Sequence, residues 1–173
     1  MAVLKIARMG HPVLMGVAEP VSDPQDPEIL RLCGDMVDTM NDAPGIGLAA
    51  PQVHVPLRLV IYMVPADRDD ENDEGHPLTV LINPEITVLD ETLESGVEGC
   101  LSLPGMSGDV ARPRRIRVQA LDLNGDPLDY EAEGFHARVV QHECDHLDGV
   151  LYPMRMDDLS SFGYVEEMTK DAE

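Results

Sequence analysis

His142, Glu143, Cys144, Asp145 and His146 set two imidazoles four residues apart around a carboxylate. On a helix, side chains at that spacing project from one side about a turn apart. Both imidazoles can then reach one metal ion, and the carboxylate can contact a water held by that ion. This is the grouping for metal-assisted hydrolysis. The bare HExxH pattern also describes an ordinary helical His pair with an acidic neighbour, so the hydrolytic reading requires a third protein ligand and an open position for water or substrate. The chain has 3 cysteines, too few and too odd in number for a disulfide framework. Cys33 falls inside an apolar helical face and reads as a small core hydrophobe. Cys144, two positions after His142, points largely away from the His pair and is assigned to packing. Cys100 lies in Glu98, Gly99, Cys100, Leu101, Ser102, a glycine-flanked stretch suited to an exposed, tight backbone, and is assigned to the metal. A third stretch, Gly45, Ile46, Gly47, Leu48, Ala49, Ala50, Pro51, Gln52, runs from a helix end toward a strand. Its glycines admit another chain close to the backbone, and Gln52 offers an uncharged donor able to polarise a carbonyl, though such a loop is usually only a turn.

These groups need rigid supports. Asp26, Pro27 and Glu28 form a helix start, with a cap, a proline at the first position and an acid in the first turn. Ile29, Leu32, Cys33, Met36, Val37 and Met40 then define one buried helical face, which Pro44 and Gly45 terminate. Segments 57–63, 78–82 and 86–89 are rich in aliphatic and β-branched residues and are expected as strands; the acidic run 66–76 between the first two reads as a solvated loop. Segments 114–121 and 127–133 flank Asn124 and Gly125, a hairpin signal. A second helix, from about 135 to 148 with Gly149 as its stop, carries Phe135, Val139, His142 and His146 on one face. Val140, Cys144, Leu147 and Leu151 continue an adjacent one, so this helix is expected to be buried with its imidazoles facing the interior.

The 173 residues read as one compact soluble domain spanning 1–173. With 33 acids against 12 basic residues the net charge is −21, and Lys5 and Lys170 are the only lysines. Such a surface repels phosphate backbones and anionic head groups, which disfavours direct nucleic-acid binding and membrane association. A lysine-poor acidic surface also fits adaptation to salt, but good solvation is the simpler reading. Apolar runs fall far short of the roughly 20 residues a membrane-spanning helix requires. The first ten residues lack a secretory pattern, so the expected compartment is the cytoplasm. Arg112, Arg114, Arg115 and Arg117 read as arginines solvating a strand rather than as an anion contact.

Taken together and in this order, GIGLAAPQ at 45–52, EGCLS at 98–102 and QHECDHLDG at 141–149 closely resemble the three signature motifs of peptide deformylases. Weaker resemblance extends from about residue 3 to 164. The resemblance implies an α+β fold, with small antiparallel or mixed β-sheets packed around a central helix bearing HExxH. It implies hydrolytic removal of the formyl group from the N-terminal formylmethionine of new polypeptides, with release of formate. Cys100, His142 and His146 match the family's ligands for one divalent metal, usually ferrous iron, with zinc, nickel or cobalt able to occupy the site. Glu143 matches the general base that turns general acid, while the Gln52 side-chain amide and the Leu101 backbone N–H match the oxyanion donors. Ile46, Gly47, Gly99, Phe135 and Val139 match positions around the slot for the methionine side chain. Glu98 and Arg112, by motif position and opposite charge, are expected to form a supporting ion pair across this substrate site.

There are departures from the pattern. Family members often carry an arginine able to contact the substrate peptide where this chain has Ser107, which leaves peptide preference open. Some use a basic terminal helix on the ribosome, whereas here the stretch after Met156 is acidic, so ribosome contact is not transferred. A zinc endopeptidase is the competing hydrolase, and Cys100 argues against it because the usual third ligand there is His or Glu. A binding module without catalysis is the other alternative, and intact Glu143 and Gln52 argue against that.

Overall fold

The computed structural model describes residues 2–66 and 75–169. Most of the acidic run expected as a loop, 67–74, therefore lies outside the described residues. Helix α1 (Pro27–Asp42) begins as its sequence dictates, with the Asp26 carboxylate accepting the Glu28 N–H at 2.8 Å and Pro27 needing no partner there. It buries Ile29, Cys33, Met36 and Met40, while Leu32 and Val37 are only partly covered. Thr39, also buried, accepts the Leu4 N–H at 2.8 Å and so ties the N-terminal segment to α1.

The strands are β1 (Gly47–Ala49), β2 (Leu59–Val64), β3 (His76–Cys100), β4 (Leu103–Leu121), β5 (Pro127–Glu133) and β6 (Gly163–Tyr164). They form one six-stranded sheet in the order β1-β2-β3-β4-β5, with β6 on β4, and every pair is antiparallel. With the helices this is an α+β architecture, but a single sheet replaces the several small ones expected. Two long strands make the difference, because bulges along β3 let one strand change direction without ending. The two strands expected at 78–82 and 86–89 are thus parts of β3. Asn83 between them adopts φ 53°, a left-handed conformation asparagine tolerates, and its side chain bonds both backbone groups of Val21 at 2.8 and 2.9 Å. Segment 114–121 is likewise only the second half of β4, whose first half is masked by Pro104, Gly105, Gly108 and Pro113. The hairpin at Asn124 and Gly125 forms as expected, Asp122 accepting the Asn124 and Asp126 N–H groups at 2.8 and 2.9 Å.

Strand β2 is apolar throughout because both its faces are buried. Val60, Tyr62 and Val64 pack toward α2, and Leu59 and Ile61 toward α1, as side chains that alternate along a strand must. Helix α2 (Gly134–Leu147) is buried from Ala137 to Leu147 and packs on β4, β2 and β1. Gly149 ends it at φ +72°, where a Cβ would also lie 2.8 Å from the Met15 carbonyl carbon and oxygen. Arg114, Arg115 and Arg117 each pair with carboxylates on neighbouring strands, Glu94 and Glu133, Glu131, and Asp129 respectively. They belong to the sheet surface. Helix α3 (Val165–Met168) follows β6, and among the described residues no helix is long and apolar enough to cross a membrane.

Candidate metal centre

Three pieces of backbone converge beside α2: the edge strand β1, the short 3-10 turn Ala50–Val53 that follows it, and the closed end of the β3–β4 hairpin. Cys100 comes from the hairpin and His142 and His146 from the helix, and one donor atom of each lies within 4.8 Å of the other two. The Cys100 Sγ is 3.4 Å from His146 Nε2. Of the stretch expected to be exposed, Gly99 is exposed and Cys100 and Leu101 are half-buried, while Glu98 and Ser102 are buried. A bulge shifts the register between Gly99 and Cys100. Cys144 is buried in the sheet-facing core, and burial raises its thiol pKa far above the ordinary value, so it is a packing residue. Cys33 lies on the buried face of α1 with its thiol pushed up to about 11 by burial.

His142 is oriented from behind, whereas His146 Nδ1 is buried with no hydrogen-bond partner. Glu98 Oε2 is 2.8 Å from His142 Nδ1, and the same carboxylate receives Arg112 Nε and Nη2 at 2.6 and 2.9 Å and Arg138 Nη1 at 2.8 Å. Burial works against the charge of Glu98, but the bonds from Arg112 and His142 outweigh it and hold the carboxyl at about 2. An ionised Glu98 makes Nδ1 the protonated nitrogen of His142 and leaves Nε2 free for a metal, the usual arrangement of a carboxylate behind a ligating histidine. Arg112 extends the network to Asp145 at 2.8 Å, and Asp145 in turn receives Arg155 at 2.6 Å. The ion pair expected of Glu98 and Arg112 is present, but Arg112 stands behind Glu98 and is not on the cavity wall.

The cavity in front is about 640 Å³. Ile46, Gly47, Gln52, Glu98, Gly99, Cys100, Leu101, Phe135, Val139, His142 and Glu143 are brought together along its walls, while His146 lies deeper. Gln52 is locked in one orientation: its Oε1 accepts the Ala49 N–H at 2.8 Å, and its Nε2 donates to Ser102 Oγ at 3.1 Å and lies 3.4 Å from Cys100 Sγ. Glu143 Oε2 is buried without a hydrogen-bond partner, and burial raises this carboxyl to about 7. A soft thiolate, two imidazoles and an unpartnered carboxylate beside them are the donor set and neighbour a divalent metal with a bound water requires.

Gly47 explains the close approach its motif suggested. A Cβ there would sit 2.2 Å from Glu143 Oε1 and 2.6 Å from its Cδ. The obstructed atoms run from the carboxylate back to Cγ, at 2.8 Å, of a buried side chain, so Gly47→Ala is expected to lower the melting temperature as well as displace Glu143. It should swing the carboxylate away and lower kcat on the order of 10²-fold, the usual cost of a small misplacement. Thermal melting beside steady-state turnover separates the two effects.

Sequence reasoning missed Arg138, Asp145 and Tyr152. Arg138 is buried and also donates to the carbonyls of Val110 at 2.7 Å and Glu94 at 2.6 Å. Its signal was available, since it lies one turn before His142 on the same helix. Tyr152 is buried and stacks on the His142 ring with centroids 6.1 Å apart.

Such a centre defines a hydrolase built on HExxH with a cysteine as third ligand. Residues 3–162 match the family model described as polypeptide deformylase. Peptide deformylase 2 of Ralstonia nicotianae is 52% identical over 163 residues, covering 93% of this chain and 91% of that protein. Peptide deformylase 1 of Bordetella pertussis is 51% identical, covering 93% and 92% respectively. The Met-Ala-Ser-bound crystal structure of a class I type b peptide deformylase from Acinetobacter baumannii superposes with a TM-score of 0.83 at 35% identity, over 90% of this chain and 99% of that one. The chain belongs to the peptide deformylase family, metal-dependent hydrolases that remove the N-terminal formyl group.

Proposed function

We propose that this chain releases formate from N-formylmethionyl peptides through Cys100, His142 and His146 as metal ligands, Glu143 as proton carrier, and Gln52 with the Leu101 backbone N–H as oxyanion donors. The observation that carries the reading is the unpartnered, buried Glu143 carboxylate oxygen on a cavity wall shared with Cys100 and His142, with His146 grouped behind them. A divalent ion held there supplies Lewis acidity and lowers the pKa of water toward neutrality. Ferrous iron is the ion proposed, by family resemblance; zinc, nickel and cobalt suit the same donors.

Glu143 accepts a proton from the attacking water and returns it to the amine as the formyl C–N bond breaks. Gln52 and Leu101 face the carbonyl oxygen as it becomes negative. The locked Gln52 amide makes this stabilisation available without reorganisation. Strand β1 lies at the edge of the sheet, so the peptide backbone adds alongside it, with Gly99 opposite. Ile46, Phe135 and Val139 supply the apolar slot for the methionine side chain. Glu98 and Arg112 support the site from behind.

Residues 1–173 act as one catalytic domain working on nascent chains in the cytoplasm. The acidic surface and the acids Glu166 and Glu167 of α3 favour neither nucleic acid nor a basic ribosome-docking helix.

The direct test is formate release from formyl-Met-Ala-Ser by protein purified anaerobically and loaded with Fe²⁺. Rapid release that is lost in Cys100→Ala is the expected result; no release from protein of confirmed metal content overturns it. Gln52→Ala is expected to keep its metal and lose roughly 10²–10³-fold in kcat, with little change in KM, because its donor acts on charge that develops only in the transition state.

A further inference from the structure

Most arginines among the described residues are paired. Among the described residues Arg31, Arg58, Arg112, Arg114, Arg115, Arg117, Arg138 and Arg155 all have carboxylate partners, and only Lys5 and Arg8 have none. Both line a groove of about 680 Å³ that adjoins the catalytic cavity, with Ile6, Ala43, Leu101 and Pro104 forming walls of both.

The backbone that carries Arg8 is anchored to the reacting centre. The Ala7 N–H donates to the Gln52 carbonyl at 2.7 Å and the Met9 N–H to the Ser102 carbonyl at 2.9 Å, so Arg8 is bracketed by bonds into the segments that carry Gln52 and Cys100. His54, immediately after the turn that holds Gln52, adopts φ 66°, uncommon for a residue with a side chain. From there its ring meets His11 edge-on with centroids 4.6 Å apart, and both rings line the groove. Asp42 is the acid on this wall and forms no ion pair with either cation.

We propose that Lys5 and Arg8 form a subsite for an acidic side chain of the substrate, downstream of formylmethionine. The proposal rests on the reading that the adjoining cavity takes formylated peptides. A carboxylate on the same chain as the scissile formyl group fits because the two spaces share walls. A nucleic acid does not, because two cations cannot offset a net charge of −21. An extended peptide advances about 3.3–3.4 Å per residue with side chains on alternate sides, so the preference is confined to a particular register. That is the distinguishing feature: the overall charge alone favours lysine over aspartate at every position.

The experiment walks Asp, Asn or Lys through the third to sixth positions of a formyl-Met hexapeptide otherwise made of alanine, with formyl-Met-Ala-Ser as reference. At one position, or at two positions of one parity, kcat/KM for Asp is expected to exceed that for Asn by roughly 3–5-fold, the scale of an exposed ion pair, through KM. The excess should shrink as salt is raised. It should vanish in Lys5→Gln/Arg8→Gln and persist in Lys5→Arg/Arg8→Lys, each read as an Asp/Asn ratio within one protein so that any general loss cancels. A flat or lysine-favouring scan by protein that turns over formyl-Met-Ala-Ser overturns the subsite alone, as does a preference that survives in the Gln variant. No release from formyl-Met-Ala-Ser overturns the subsite and the activity together.

Discussion

Glu143→Gln is expected to fold, retain its metal and lose on the order of 10²–10⁴-fold in kcat, the range that general acid–base catalysis supplies. The substitution preserves shape and removes only the ability to take and return a proton. Its surroundings explain why no neighbour substitutes: Glu143 is buried, its Oε2 has no hydrogen-bond partner, and the absent side chain of Gly47 leaves the space that Oε1 occupies. Burial brings the carboxyl to about 7, matched to accepting a proton near neutrality. Metal analysis of the purified variant beside its steady-state rate separates the proton role from metal loss. A fall of less than tenfold in a fully loaded variant would move the proton transfer to another group.

The parts of this centre that sequence reveals are those whose spacing is local. His142, Glu143 and His146 lie within one turn of a helix, so helical geometry alone places them on one side. Cys144 could be set aside because it projects elsewhere on that same turn, and it is found in the sheet-facing core. What remained hidden depends on residues far apart in the chain. Arg138 reads as a polar helix residue until its acceptors Glu94, Gly96 and Val110 arrive from β3 and β4. Asp145 occupies an unspecified position of HExxH, and its partners Arg112 and Arg155 come from a strand and a later turn. The fold shows the same division. Caps and faces of α1 and α2 follow from neighbouring residues, whereas the continuity of β3 through Asn83 depends on bonds to Val21, far back in the chain.

Glu98→Ala is the second large effect, and it acts through stability and metal affinity together. The Glu98 carboxylate is shared by Arg112, Arg138 and His142, with all four contacts at 2.6–2.9 Å and its own side chain almost wholly covered. Its removal leaves Arg112 with Asp145, and Arg138 with backbone carbonyls, as partners for buried charge. Breaking a buried pair by removing one partner costs about 3–5 kcal/mol, and here Arg138 is the charge left without an anion. For a chain of this length that corresponds to roughly 6–20 °C in Tm, at about 2–4 °C per kcal/mol. His142 also loses the acceptor that fixes its tautomer, and metal affinity should fall about 10–100-fold. Arg112→Ala should be milder, because Glu98 keeps Arg138 and His142. The double variant should therefore be less destabilised than the sum of the two single changes, since removing Arg112 also removes one of the charges that Glu98→Ala strands. Additive melting shifts would show instead that the two side chains do not act as a pair.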